Sequence, residues 1–347
     1  MNSHEIHRSH AHHIAPSFAA RALLALALAL GGAGCTRKSG GEAGGAAPAG
    51  SDKLVKLAFV TNTTSEFWKI AGAGIHKYEQ EGKVQVDVKM PPNGTPEDQN
   101  QILQNLASQS YDAIAVSVIA PADQTALLDK IAEKTNLITF DSDAAKSKRL
   151  LYIGTDNYAA GKALGGQIVK LLPKGGKIAV FVGSFSADNA AQRLKGIEDA
   201  IAGHGIQVVD KREDNTDRAR ARSNVEDIVN ANHDLAMVVG LYNYNGTAIA
   251  AALEGLGKKG KVLAAVFDED DGTLDGIANG SIQATVVQKP FMFGYLASKW
   301  MHQLATQGAA AKAALPANRV IDTGVDVIDK SNVADFRAKL AEMKKAS

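Results

Sequence analysis

From Lys53 onward the chain alternates short apolar runs with segments of helical spacing. Ten runs suit strand interiors: LAFV (57–60), VQVDV (84–88), AIAVSV (113–118), LITF (137–140), LLYI (150–153), IAVFV (178–182), IQVV (206–209), LAMVV (235–239), VLAAVF (262–267) and IQATVV (282–287). Between them, helical spacing marks 96–108, 124–133, 157–172, 189–203 and 219–232. Strands alternating with helices predict parallel sheets joined by right-handed crossovers. So many strands exceed one small domain, so the pattern predicts two doubly wound α/β lobes, with Asp156-Asn157 near the midpoint.

Polar residues gather where the runs end. Asn62 to Ser65 follow the first, Asp141 and Asp143 the fourth, Ser184 the sixth, Asn243 and Asn245 the eighth, Asp268 to Asp271 the ninth, and Gln288 the tenth. In open α/β sheets ligands bind beyond the carboxyl ends of the strands. Two lobes with facing strand ends would share one cleft. The dipeptide Phe140-Asp141 recurs as Phe267-Asp268, which predicts one carboxylate entering that cleft from each lobe.

The amino-terminal segment changes the picture of location. Arg21 precedes an apolar run (22–30), then small residues lead to Cys35. The run is too short to span a membrane and has the form of a secretory signal. Cys35, the single cysteine, stands where the small residues end, which resembles the lipobox of bacterial lipoproteins; Gly32 stands where that motif usually has Leu, and Leu30 lies two residues earlier. An ordinary cleaved signal with an incidental cysteine is the alternative. Residues 36–52 are rich in Gly, Ala and Ser, a composition that predicts a flexible tether. A lipidated Cys35 with that tether would hold the folded part at a membrane surface outside the cytoplasm.

Charge and composition exclude other classes. The 38 basic and 37 acidic residues leave a net charge of +1, with no basic patch suited to nucleic acid. One cysteine rules out an intrachain disulfide and a cysteine metal cluster. No metal or cofactor is expected. The stretch DEDDG (268–272) fails the EF-hand spacing, because Asn279 stands where the twelfth-position Glu is needed.

The remaining candidates suit a polyhydroxyl ligand. An ionised carboxylate accepts two hydroxyl donors, and such bonds are strong. Asp141 and Asp268 supply carboxylates, or else cap helices. Arg193 supplies a planar fork of donors, or else is a solvated helix residue. Asn62, Asn189, Asn245 and Gln288 can donate and accept. Phe67 and Trp68 open a helix and offer flat faces to a sugar ring, or else pack in the core. An enzyme is the alternative of another class: Asp141-Ser142-Asp143 looks like the D-x-D of aspartyl-nucleophile phosphatases, but Ala145 stands where those have Thr or Val. No G-x-S-x-G, H-E-x-x-H or P-loop occurs.

Four stretches, FDSDAAKSKRLLYIGTDNYAAGKALG (140–165), GSFSADNAAQRLKGIEDAI (183–201), LYNYNGTAIAAAL (241–253) and VFDEDDGTLDGIANGSIQATVVQKPFMFGYLA (266–297), resemble the ribose-binding-type family of periplasmic sugar-binding proteins, glucose-binding proteins of thermophilic bacteria among them. The resemblance runs from Leu57 to about Leu304. It implies the type I periplasmic binding fold, two lobes joined by three hinge crossings near Thr155-Asp156, Gln288-Lys289 and Thr323-Gly324. The lobes would be 53–155 with 289–323, and 156–288 with 324–347, after a leader at 1–35. It implies a non-enzymatic monomer that captures a monosaccharide and delivers it to the permease of an ABC importer; a sensor for a chemoreceptor or kinase is the variant of the same fold. The family's sugar contacts carry over to Phe67, Trp68, Asp141, Arg193, Asn245, Asp268 and Gln288. Ribose binders have Arg at the position of Ser142 and an aromatic at Thr216, so the resemblance implies a pocket shaped for something other than ribose.

Overall fold

In the computed structural model, which describes residues 54–345, a strand forms in each of the ten apolar runs. The first five are β1 (Leu57–Val60), β2 (Val86–Lys89), β3 (Ala113–Val116), β4 (Asn136–Phe140) and β5 (Tyr152–Gly154). Between and after them come α1 (Glu66–Gly82), α2 (Pro96–Ser108), α3 (Pro121–Ala132) and α4 (Asn157–Leu171). The second half continues with β6 (Gly176–Val182), α5 (Asp188–Ile201), β7 (Ile206–Glu213), α6 (Arg218–Ala231), β8 (Leu235–Gly240), α7 (Asn243–Gly255), β9 (Leu263–Phe267), α8 (Asp271–Asn279) and β10 (Ala284–Val287). The chain closes with α9 (Pro290–Gln307), α10 (Ala309–Ala313), β11 (Val320–Asp322), β12 (Asp326–Asp329) and α11 (Val333–Lys345).

Two six-stranded sheets result, ordered β11-β5-β4-β3-β1-β2 and β12-β10-β9-β8-β6-β7. The pairings are parallel except β10 with β12. Side chains alternate along each strand, so each sheet builds a core on both faces. Leu57 and Phe59 join one cluster while Ala58 and Val60 join the other. Phe181 and Val180 divide in the same way in the second sheet. The chain passes between the sheets three times: from β5 to α4, which packs on α5; from β10 to α9, which packs on α1; and from β11 to β12.

The apolar pattern does not predict β11 and β12. Their sequences, VID and DVID, are too short and polar to announce strands. They exist because β5 and β10 offer them an edge.

Close helix crossings bring the walls of the cleft into place. Gly161 of α4 lies against the carbonyl of Arg193, and Gly196 of α5 lies against the carbonyl of Tyr158; a Cβ at either position would collide with that backbone. The pair of glycines lets α4 and α5 touch, which sets Arg193 beside Asn157. The leader, the tether and Cys35 lie outside the described residues.

Candidate functional site

The carboxyl ends of β1, β4, β6, β7, β8, β9 and β10 converge on a cleft of about 740 Å³. Its lining includes Asn62, Phe67, Trp68, Asp141, Asn189, Arg193, Asp268 and Gln288, that is, all but one of the residues singled out as ligand contacts.

The repeated Phe-Asp has one local structure. Phe140 and Phe267 end their strands fully buried. Asp141 and Asp268 follow in the left-handed region, at φ 57° and 67°. A non-glycine residue rarely adopts this conformation, and such positions concentrate at functional sites. Each Asp N–H still donates to the next strand, Asp141 to the Ile153 carbonyl at 3.1 Å and Asp268 to the Val286 carbonyl at 2.9 Å. Each Asp carbonyl accepts from a hydroxyl, of Tyr152 at 2.9 Å and of Thr285 at 2.7 Å. The backbone is pinned on both sides, so the turn delivers each carboxylate to the cleft. Neither residue caps a helix: α8 is capped by Asp270, whose Oδ1 accepts from Thr273 N at 2.8 Å.

Around Asp141, Ser117 Oγ donates to Oδ2 at 2.7 Å and Asn62 Nδ2 donates to the same oxygen at 3.3 Å. Around Asp268, Gln288 Nε2 donates to Oδ1 at 3.0 Å, and Arg193 lies 3.8 Å from Oδ2. Arg193 is only 3% exposed, so it is no solvated helix residue. Its guanidinium donates to Asn157 Oδ1 at 2.9 Å and to the Leu241 carbonyl at 2.7 Å, and it lies over the Phe267 ring at 4.3 Å. A buried cation so fixed offers its free N–H groups in one direction.

Burial pushes the Asp141 carboxyl up to about 6, helped by the charge of Asp268; the Ser117 hydroxyl and Arg193 oppose this. Asp268 is also pushed up by burial, against Arg193 and Gln288. Two partly desolvated carboxylates around one guanidinium favour a ligand that supplies hydroxyl donors. The aspartates of D-x-D do not act together. Asp143 is taken by Arg149, through Nε at 2.5 Å and Nη2 at 2.6 Å, and by Thr139 Oγ1 at 2.5 Å.

Two expectations change. Asn245 does not line the cleft. It is the third residue of α7, and its Oδ1 accepts from the Tyr242 N–H at 2.9 Å in a capping arrangement. Its Nδ2 donates to Asp214 Oδ2 at 3.2 Å, so the amide is spent within the wall. Tyr242, Asn243 and Tyr244 hold the cleft positions instead. Trp68 touches the cleft but is 4% exposed and belongs to the first-lobe core, edge-on to Phe59 and Phe140. Phe67 is more open and meets Trp68 and Phe293. The sequence carries no signal for Ser117, Asn157 or Asp214, because a single polar residue does not show which way it faces. Among the described residues no cluster suits a metal ion, and no helix is long and apolar enough to cross a membrane.

Two doubly wound lobes, joined by three crossings, with a polar cleft at facing strand ends, define the type I periplasmic binding fold. The chain belongs to the periplasmic binding protein family, whose domain model matches residues 57–310. It is 26% identical over 246 residues to the ribose import binding protein RbsB of Bacillus subtilis, covering 69% of this chain and 78% of that one. An ABC transporter solute-binding protein from Burkholderia graminis, solved in complex with D-arabinose, superposes with a TM-score of 0.75 at 31% identity, over 82% of this chain and 98% of that one. The glucose-galactose binding protein GanP of Geobacillus stearothermophilus superposes with a TM-score of 0.73 at 26% identity, over 80% of this chain and 98% of that one.

Proposed function

We propose that this protein captures a monosaccharide in the cleft and delivers it to an ABC importer, outside the cytoplasm. The observation that carries this is the pair Asp141 and Asp268, one from each sheet, set around buried Arg193. A sugar that bridges them ties the two lobes together. The free protein then samples a range of lobe angles, and the sugar shifts the population toward closure. The three crossings between the sheets support hinges near Thr155-Asp156, Gln288-Lys289 and Thr323-Gly324, and a division into lobes of 53–155 with 289–323 and 156–288 with 324–347. The protein works as a monomer, with no bond made or broken. Asn62, Phe67, Asn189 and Gln288 complete the contacts, Trp68 contributes an edge, and Cys35 carries the lipid anchor.

Thermal-shift screening of the mature protein against pentoses, hexoses, polyols and inositols tests this, because a ligand that binds only the native state raises its stability. D-arabinose belongs in the panel, given the Burkholderia graminis complex. The expected result is a shift with at least one neutral monosaccharide, which is recovered unchanged. No shift across the panel, or turnover of sugar phosphates abolished by Asp141→Asn, would overturn it.

A further inference from the structure

Asp214 stands just past the end of β7 and is 0% exposed. Three donors converge on its carboxylate. The Tyr244 hydroxyl and the Thr216 N–H, the latter at 2.9 Å, donate to Oδ1, and Asn245 Nδ2 donates to Oδ2 at 3.2 Å. Its own N–H donates to the Val182 carbonyl and its carbonyl accepts from Asp217 N, both at 3.0 Å. One buried residue thus joins β6, the turn before α6, and the start of α7. The placement is costly: burial outweighs the three donors and raises the Asp214 carboxyl above its ordinary value.

What the residue holds is the second-lobe wall of the cleft. Asn215 and Thr216 both have positive φ, 52° and 63°. A β-branched residue there is strained, and needs neighbours that hold it. Gly183 makes room for the arrangement: a Cβ on it would press on the Tyr242 ring at 2.7 Å, the Tyr244 hydroxyl at 2.9 Å and Thr216 Cγ2 at 3.0 Å. Tyr242 and Tyr244 meet edge to face, and the Arg218 guanidinium lies 5.8 Å from the Tyr244 ring. Thr216, Arg218, Tyr242 and Tyr244 all line the cleft, whereas Asp214 does not.

We propose that Tyr244 is a specificity-determining face for the bound sugar, opposite Phe67, and that Asp214 is the positioning residue that holds it there. This rests on the sugar-binding function proposed above. Tyrosine offers a flat apolar face to the C–H side of a sugar ring, and its tethered hydroxyl removes the freedom to swing away. Asp214→Asn removes the charge and sets an NH₂ group against at least one of the three donors, so it weakens the tether with little change in volume.

The test is a double-mutant cycle on the mature protein, with the wild type first titrated by calorimetry against D-arabinose and the tightest-binding hexose of the panel. If the wild type binds no monosaccharide, the proposed function fails and this inference falls with it. Given wild-type binding, Asp214→Asn and Tyr244→Phe should each weaken it about tenfold, and the double variant should be little worse than either, since both act on one tether. The ratio of pentose to hexose affinity should also change, which a general loosening of the lobe would not produce. A lowered melting temperature with unchanged affinity in Asp214→Asn, or additive losses in the double variant, would overturn the positioning role. Should Asp214→Asn fail to fold, Tyr244→Phe and Tyr244→Ala decide: unchanged affinity and unchanged sugar preference in both would overturn the proposal.

Discussion

The pH dependence of binding gives a quantitative test of Asp141. Its carboxyl is pushed up to about 6, first by burial, then by Asp268, with Ser117 and Arg193 opposing. A sugar hydroxyl that donates to it needs the ionised form as acceptor. Binding therefore favours the carboxylate and releases a proton wherever Asp141 is protonated in the free protein. With a pKa near 6, the ionised fraction falls from about nine-tenths at pH 7 to about one-tenth at pH 5. The apparent dissociation constant should rise by about tenfold over that interval, since affinity scales with the competent fraction, a loss of about 1.4 kcal/mol. Isothermal titration calorimetry at each pH, repeated in two buffers of different ionisation enthalpy, reads both the affinity and the proton released. Circular dichroism at each pH confirms the fold. In Asp141→Asn the binding should be weaker throughout and its slope much reduced, the remainder belonging to Asp268. A wild-type affinity that is flat between pH 8 and pH 5, or a slope identical in Asp141→Asn, would refute the assignment.

Asp268→Ala should weaken sugar binding by about 2–4 kcal/mol while the protein stays folded, because it removes charge-assisted bonds and leaves Arg193 without its facing carboxylate; calorimetry beside a thermal melt separates the two effects. Trp68→Ala should lower stability by about 3–5 kcal/mol, as expected for a core aromatic, and a melting temperature within a degree of wild type would show it is not core. Glu269 is 6% exposed, its Oε2 has no hydrogen-bond partner, and burial with the charge of Asp268 pushes its carboxyl up to about 8, against Lys344. The folded-state value lies above the unfolded one, so its contribution to stability is complete below about pH 4.5 and is lost as pH rises toward 8. Glu269→Gln should flatten the melting temperature across that window and raise it at pH 8; a variant that melts with the wild-type pH profile excludes Glu269 as the cause. Cys35→Ser should move the protein from the membrane fraction to the soluble fraction, and a wild type that is already soluble and begins well after residue 35 would exclude the anchor.

Much of this protein is written in its local pattern. Short apolar runs separated by helical spacing have few physical outcomes, because a parallel strand buried on both faces must be apolar and its return requires a crossover. That is why the ten runs become strands and why their polar ends mark the cleft. The second Phe-Asp was legible as a repeat for the same reason: two lobes of one topology meet the same need twice. The sequence could not say that both aspartates adopt positive φ, since neighbouring strands hold them there. Nor does it reveal that Tyr244, and not the neighbouring Asn245 it points to, reaches the cleft. Only the packing of α7 against Gly183 and Asp214 turns one into the cleft and the other into the wall. β11 and β12 depend on edges built from residues far away in sequence. Arg193 has the same character. Its sequence neighbourhood is an ordinary amphipathic helix, and its role comes from Asn157, Leu241 and Asp268, brought together by three separate crossovers. Local pattern decides which segments must leave water; only the assembled sheets decide which polar groups meet when they do.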